Sequence, residues 1–156
     1  MIKMDLAIIK KRFFREYSLK VRIGKSFLSL LILCTGGLIY IGFRNKSLLM
    51  FDWFNYLGLT QQIDIFRSKL NSEGVYGWVI NSLPDGLWLF AYMFLVDAIW
   101  NGSKSISSFF FIYYLPFLAL LSEFLQYIGL VPGVFDWLDV ASYLLAILLF
   151  MIIKLI

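Results

Sequence analysis

Residues 27–43 read FLSLLILCTGGLIYIGF, a run of 17 residues without a charged side chain. Three later stretches, at 83–100, 108–128 and 137–156, are also predominantly apolar. A helix that crosses a bilayer needs about 20 mostly apolar residues. The sequence therefore predicts an all-α, polytopic integral membrane protein, a single membrane domain with four transmembrane helices in a four-helix bundle.

The composition of the whole chain favours a membrane environment. Apolar residues make up 61% of the 156 residues and charged residues 15%, whereas soluble proteins average about 45–50% and about 25%. The single cysteine, Cys34, excludes a disulfide scaffold, and the lack of histidine excludes Ser-His triads and His-ligated zinc. The net charge of +4 is concentrated in one block, so we expect no nucleic-acid partner.

Lysine and arginine are distributed unequally between the two sides of the predicted membrane domain. Eight of them precede the first span, and Lys104 and Lys154 fall on the same side, while the opposite side has four. Cytoplasmic loops of membrane proteins carry such an excess. The sequence therefore predicts that both the N-terminus and the C-terminus are cytoplasmic.

Two segments outside the spans have helical patterns. In residues 1–26, apolar residues recur every three or four positions between basic ones, which predicts an amphipathic helix at the cytoplasmic membrane surface; the alternative is a topology signal alone. Residues 44–78 are too apolar for a free loop, and Thr60 is the expected N-cap of a short helix there. We expect this outer-face segment to lie on the membrane or to cover the helices.

Acidic residues inside or beside membrane spans are energetically costly and are therefore candidate functional groups. In the predicted topology, Asp85, Glu123, Asp136 and Asp139 come from three helices and gather near the outer face. Asp97 lies 12 residues after Asp85, roughly 18 Å along a helix. We expect Asp97 at the cytoplasmic end, paired with Lys104 or with the basic N-terminal segment.

Helix capping is an alternative role for three of these acids. Ser82 and Asp85 have the spacing of a capping box, and Asp136 and Asp139 open the fourth predicted span. Glu123 lies near the C-terminal end of a span, where the helix dipole disfavours a carboxylate. Gln126 follows three residues later on the same helix face, so both side chains are expected to point inward.

The motif E-x-x-Q at 123–126, followed by Pro132-Gly133 and by Asp136 and Asp139, resembles the signature region of the VanZ-like family of bacterial membrane proteins. The resemblance covers roughly residues 82–150 and implies a bacterial inner (cytoplasmic) membrane protein of the cell envelope. It also implies Glu123, Gln126, Asp136 and Asp139 as site residues. Val134 and Tyr143 replace an arginine and an asparagine that are common in the family.

The first functional hypothesis is an outer-face ligand site formed by Asp85, Glu123, Gln126, Asp136 and Asp139. Oxygen ligands suit a divalent cation, with Glu123, Asp136 and Asp139 as the candidate metal ligands. The same groups suit the headgroup of an amphipathic, lipid-linked envelope intermediate that enters from the bilayer. If the site is catalytic, Glu123 would donate a proton and Asp136 or Asp139 would be its ionised partner. The residues are equally compatible with an enzyme and with a binding protein.

The second hypothesis is a non-catalytic structural or accessory subunit. In that case the acids only cap helices, and the outer-face segment and the basic N-terminal segment bind partner membrane proteins or a second copy of the chain.

Overall fold

The computed structural model describes residues 2–70, 75–101 and 103–155, with side chains from Ser18 onward. These residues form helices and no strand, which confirms the all-α prediction. The helices are α1 (Ile2–Phe43), α2 (Leu49–Tyr56), α3 (Thr60–Ser68), α4 (Gly77–Asn81), α5 (Leu83–Ile99), α6 (Ile106–Tyr127) and α7 (Trp137–Leu155).

Three helices are long and apolar enough to cross a membrane, namely Ser18–Phe43 within α1, α6 and α7. Their outward faces expose large apolar side chains such as Phe117 and Leu144, which suits contact with lipid better than contact with water. The helix at the second predicted span, α5, has 17 residues and is shorter than these three. Three of the four predicted spans therefore correspond to helices that are candidates, by length and apolar composition, for crossing a membrane.

The short helix α5 lies at the centre of the protein. It packs against α1, α6 and α7, and it has the largest number of buried residues among the described helices. The core joins Met93 and Phe94 of α5 to Ile112 of α6 and Phe150 of α7. Most side chains of α5 therefore face other helices, although Leu95 and Ile99 near its end are exposed.

The helices do not form the predicted four-helix bundle. In the described part of the chain, α6 and α7 pack against each other and against α5, while α1 packs extensively against α5 alone among the long helices. Small residues allow this close packing: a Cβ on Gly36 would lie 2.7 Å from Trp88 Nε1. The result is a three-helix group, α5–α7, with α1 attached along one side of α5.

The first helix is continuous across the predicted boundary between residues 26 and 27. Its 42 residues have a length of about 63 Å, which exceeds the thickness of a bilayer core. The amphipathic segment predicted at the N-terminus and the first span therefore belong to one helix from Ile2 onward, and the position of that segment at the membrane surface stays a prediction. The apolar stripe of residues 2–17 lies outside the described side chains.

The outer-face segment folds back onto the end of α1. The guanidinium of Arg67, in the last turn of α3, donates hydrogen bonds to the carbonyls of Ile41 (2.7 Å) and Arg44 (2.9 Å). These carbonyls lie at the end of α1, where no later helical N–H is present to bond them. Leu70 and Phe66 also lie close to Gly42. The outer-face segment therefore covers the end of α1.

The predicted N-cap role of Thr60 is wrong. Thr60 is the first residue of α3, and Leu59 occupies the cap position without a side-chain hydrogen bond. The Thr60 hydroxyl instead donates to Asn55 Oδ1 at 3.1 Å. This bond links the beginning of α3 to α2, because only a short turn separates the two helices.

Opposite ends of the long helices have different charges. At one end, which we call the basic end, the buried Asp97 carboxylate pairs with Lys25 of α1 (2.7 Å) and Lys154 of α7 (3.1 Å). The prediction that Asp97 pairs with the basic N-terminal segment is confirmed by Lys25. The other end, where α1 and α6 finish and α5 and α7 begin, contains the predicted acidic residues, and we call it the acidic end.

Candidate functional site

Glu123 is buried at the acidic end, with 5% of its surface exposed. Its Oε2 accepts a hydrogen bond from the backbone N–H of Asp136 at 3.3 Å. The carboxyl group therefore points toward the beginning of α7, as the inward orientation predicted for it requires. A carboxylate is favoured there because the first N–H groups of a helix carry partial positive charge.

Asp136 caps α7. One of its carboxylate oxygens accepts the N–H of Leu138 at 2.8 Å, and its backbone carbonyl accepts the N–H of Asp139 at 3.2 Å. In a capping box, an acid in the first turn bonds the N–H of the cap residue. Here Glu123 does this from another helix, so the end of α6 is fixed to the beginning of α7.

Asp85 and Asp139 complete the acidic cluster, which we define as Asp85, Glu123, Asp136 and Asp139. The charge of Asp85 interacts with those of Asp139 and Glu123, and Glu123 interacts with Asp136 and Asp139. The acids of α5, α6 and α7 thus lie within electrostatic range of one another. Asp139 Oδ1 is buried and has no hydrogen-bond partner among the described residues.

Arg44 and Tyr143 belong to the same site, although neither was predicted from the sequence as a site residue. Both interact electrostatically with Asp85, and Tyr143 also interacts with Asp139 and Glu123. Arg44 is fixed by a hydrogen bond from its Nη1 to Asn81 Oδ1 at 2.8 Å. Tyr143 could have been found from its spacing, since it lies one helical turn after Asp139, whereas Arg44 is brought here by the path of α1.

The predicted capping box at Ser82 and Asp85 does not form. Ser82 has helical dihedral angles and makes no side-chain cap, because α4 runs almost directly into α5 and the N–H of Ser82 bonds the carbonyl of Trp78. The Ser82 hydroxyl is buried and has no hydrogen-bond partner within the described part of the chain. The carboxylate of Asp85 is therefore not paired with the serine as the spacing suggested.

Gln126 is directed toward the loop between α6 and α7. Its amide packs against Gly133, where an added Cβ would lie 2.6 Å from the amide carbon, and its Nε2 lies 3.5 Å from Ser122 Oγ. Gly133 has a φ of 143°, which favours glycine. Gln126 thus supports this loop, and it makes no hydrogen bond to the acidic cluster among the described residues.

An apolar groove of about 340 Å³ lies between α5 and α7, and none of the four acids is among the residues that line it. Leu87 and Phe90 line it from α5, and Leu145 and Leu149 line it from α7. The hydroxyl-bearing residues of the groove, Ser82 and Ser142, lie at the end near the acids. Ser142 Oγ donates to the carbonyl of Asp139 at 2.8 Å, so the groove and the cluster share a backbone segment.

The predicted metal ligands Glu123, Asp136 and Asp139 are not arranged as a metal centre. Across 18–70, 75–101 and 103–155, no group of three or more His, Cys, Asp or Glu side chains is placed to hold a metal ion. Asp136 and Glu123 use carboxylate oxygens to accept backbone N–H groups. The arrangement instead suits a ligand that meets the acids with hydrogen-bond donors.

Comparisons with protein-family models, curated proteins and solved structures find no match for this chain.

Proposed function

We propose that the chain is a four-span membrane protein of the bacterial cell envelope that binds an amphipathic ligand at its acidic end. The ligand has a cationic or hydroxyl-rich headgroup and an apolar chain. The single observation that carries this proposal is the convergence of Asp85, Glu123 and Asp139 at one end of the helices, where Ser142 of the groove donates a hydrogen bond to the backbone carbonyl of Asp139.

The packing of α5 against α1 supports a crossing by α5. Gly36 of α1 meets Trp88 near the acidic end, and Lys25 of α1 pairs with Asp97 near the basic end. The two helices therefore run antiparallel beside each other, which supports a crossing by α5 wherever α1 crosses. The excess of lysine and arginine supports a cytoplasmic position for the basic end, and in the proposed orientation the acidic end faces the outer side of the inner membrane.

The proposed ligand is matched to the two parts of the site. An ammonium or hydroxyl group of the headgroup would donate hydrogen bonds to Asp85 and to the unpartnered Oδ1 of Asp139. The apolar chain would lie along Leu145 and Leu149, where apolar contact replaces lipid contact. A lipid-linked envelope intermediate has this chemistry, and the resemblance of residues 82–150 to VanZ-like proteins supports the same class of ligand.

A ligand-binding titration with the full chain in neutral detergent micelles tests the proposal. The probe is dodecylamine, compared with dodecanoic acid and with ethylamine, and the signal is tryptophan fluorescence, since Trp78 lines the groove. We expect saturable binding of dodecylamine alone. Asp85→Asn should weaken this binding about tenfold, because a hydrogen bond to a charged group contributes about 1.5–3 kcal/mol.

The matched control is Asp52→Asn, which removes an exposed acid of α2 on the same side of the protein. It should leave dodecylamine affinity unchanged. Equal binding of dodecylamine and dodecanoic acid, or unchanged affinity in Asp85→Asn, would refute the proposed headgroup site.

One observation favours the second function, a structural or accessory subunit. Asp136 caps α7 and Glu123 bonds the cap residue, so half of the acidic cluster has a structural role. If Asp85→Asn lowers the melting temperature and dodecylamine does not bind, this second function is the better one.

A further inference from the structure

A second cavity lies at the basic end, between the beginning of α6 and the end of α7. Its volume is about 300 Å³. Lys104, Lys154 and the serines at 103 and 105 form its polar side, and Phe109 and Met151 are among the residues of its apolar side. The cavity is thus amphipathic and lies at the opposite end from the acidic cluster, so it is a separate site.

The polar side of this cavity keeps a positive charge. Lys154 pairs with Asp97, but the same carboxylate also pairs with Lys25, so two lysines share one acid. Asp97 itself is buried, with 2% of its surface exposed. Lys104 is exposed and forms no ion pair within the described part of the chain, which adds a further positive charge at the rim.

We propose that this cavity binds an anionic phospholipid from the inner leaflet. The phosphate would contact Lys104 and Lys154 and accept hydrogen bonds from the serine hydroxyls, while an acyl chain lies against Phe109, Tyr113 and Met151. The occupant is a phospholipid rather than a free phosphate, because the apolar half of the cavity would otherwise be left exposed. Negatively charged lipids at the cytoplasmic surface attract basic groups by about 1 kcal/mol per lysine or arginine.

The experiment measures lipid binding to the purified full chain in neutral detergent, by native mass spectrometry and by melting temperature. The ligands are dioleoyl-phosphatidylglycerol, dioleoyl-phosphatidylcholine and inorganic phosphate. We expect phosphatidylglycerol to bind preferentially and to raise the melting temperature, since a ligand that binds the folded state stabilises it. Lys104→Gln should lower phosphatidylglycerol affinity about fivefold and leave the lipid-free melting temperature unchanged.

Lys69→Gln is the matched control, because it removes one exposed lysine near the other end of the protein. It should retain the affinity of the unmodified chain. Equal binding of the two phospholipids, unchanged affinity in Lys104→Gln, or an equal loss in Lys69→Gln would overturn the proposal. Stabilisation by inorganic phosphate to the same degree as by phosphatidylglycerol would replace the lipid with a soluble anion and would also overturn it.

Discussion

Glu123 illustrates how a carboxyl group near the end of an apolar helix is accommodated. A hydrogen bond inside the protein replaces the water that the group loses, and the N-terminus of α7 supplies the donor through Asp136. The cost of burying a polar group is much lower when it is hydrogen-bonded. The same bond closes the turn between α6 and α7, so Glu123 supports the site that it helps to form.

We predict that Glu123→Ala destabilises the protein more than Glu123→Gln does. Glutamine keeps an oxygen that accepts the Asp136 N–H and loses only the charge, which contributes about 0.3–1 kcal/mol at a helix N-terminus. Alanine leaves that N–H without a partner, at a cost of about 1–3 kcal/mol. Unfolding titrations in mixed micelles measure the difference. The control is Ser122→Ala, at the exposed residue next to Glu123. Equal losses of unfolding free energy in the two Glu123 variants would contradict a stabilising role for the hydrogen bond between Glu123 and the Asp136 N–H.

Individual capping residues were predictable only where the chain before the helix is irregular. Asp136 follows a loop without helical structure, and its predicted cap is present. Ser82 and Thr60 have equally suitable side chains, but α4 or a short turn from α2 precedes them and fixes their backbone differently. Cap preferences describe a single helix end, whereas these two ends are set by the preceding helix.

At the scale of the elements, α5 explains most of the packing. This helix is short. Glycines at its contacts allow the neighbouring helices α1 and α7 to approach its backbone closely. Gly86 is the clearest example, because a Cβ there would lie 3.0 Å from both the Cβ and the carbonyl oxygen of Ser142 in α7. The carbonyl oxygen is a backbone atom, so it can move away only if α7 moves.

We predict that Gly86→Ala separates α5 from α7 and lowers the free energy of unfolding by about 1–3 kcal/mol, the usual cost of overpacking. Gly37→Ala is the matched control, since a Cβ at Gly37 meets no atom within 4 Å. That control should be neutral or stabilising by up to about 1 kcal/mol, because alanine favours helix more than glycine does. Melting temperatures in the same detergent provide the test, and a stable Gly86→Ala variant would contradict tight α5–α7 packing.

The positions of the elements were predicted well from the sequence, and their connections less well. The apolar stretches at 83–100, 108–128 and 137–156 correspond to α5, α6 and α7 within two residues, because a helix surrounded by lipid or by other helices requires continuous apolar sequence. The sequence predicts a helix both for the amphipathic segment and for the first span. It does not indicate whether the two are joined in one helix or separated by a break. Arg44 joins the acidic cluster through tertiary packing, which no local pattern encodes.

At the scale of the whole molecule, the two ends differ in the chemistry they can offer a membrane. The acidic cluster and its groove lie where α5 and α7 begin, and the lysines around Asp97 lie where they end. Asp85 and Asp97 are 12 residues apart on α5, about 18 Å along the helix axis. This separation is shorter than the thickness of a bilayer core, about 30 Å, so a crossing α5 would hold both carboxyl groups within the depth of the core and not at its two surfaces.

The four-span topology predicts that Ser47 and Ser107 lie on opposite sides of the membrane. Ser47 follows α1 and Ser107 is in the first turn of α6, and both are exposed. Each is changed to cysteine in a Cys34→Ser background, which removes the native thiol, and is labelled with a membrane-impermeant maleimide. Ser47→Cys should react in intact spheroplasts, and Ser107→Cys only in inverted vesicles. Among the described helices, α5 is the one long helix between these positions. Labelling of both cysteines from the same side would therefore mean that α5 does not cross. Reversed labelling would keep four spans and invert their orientation.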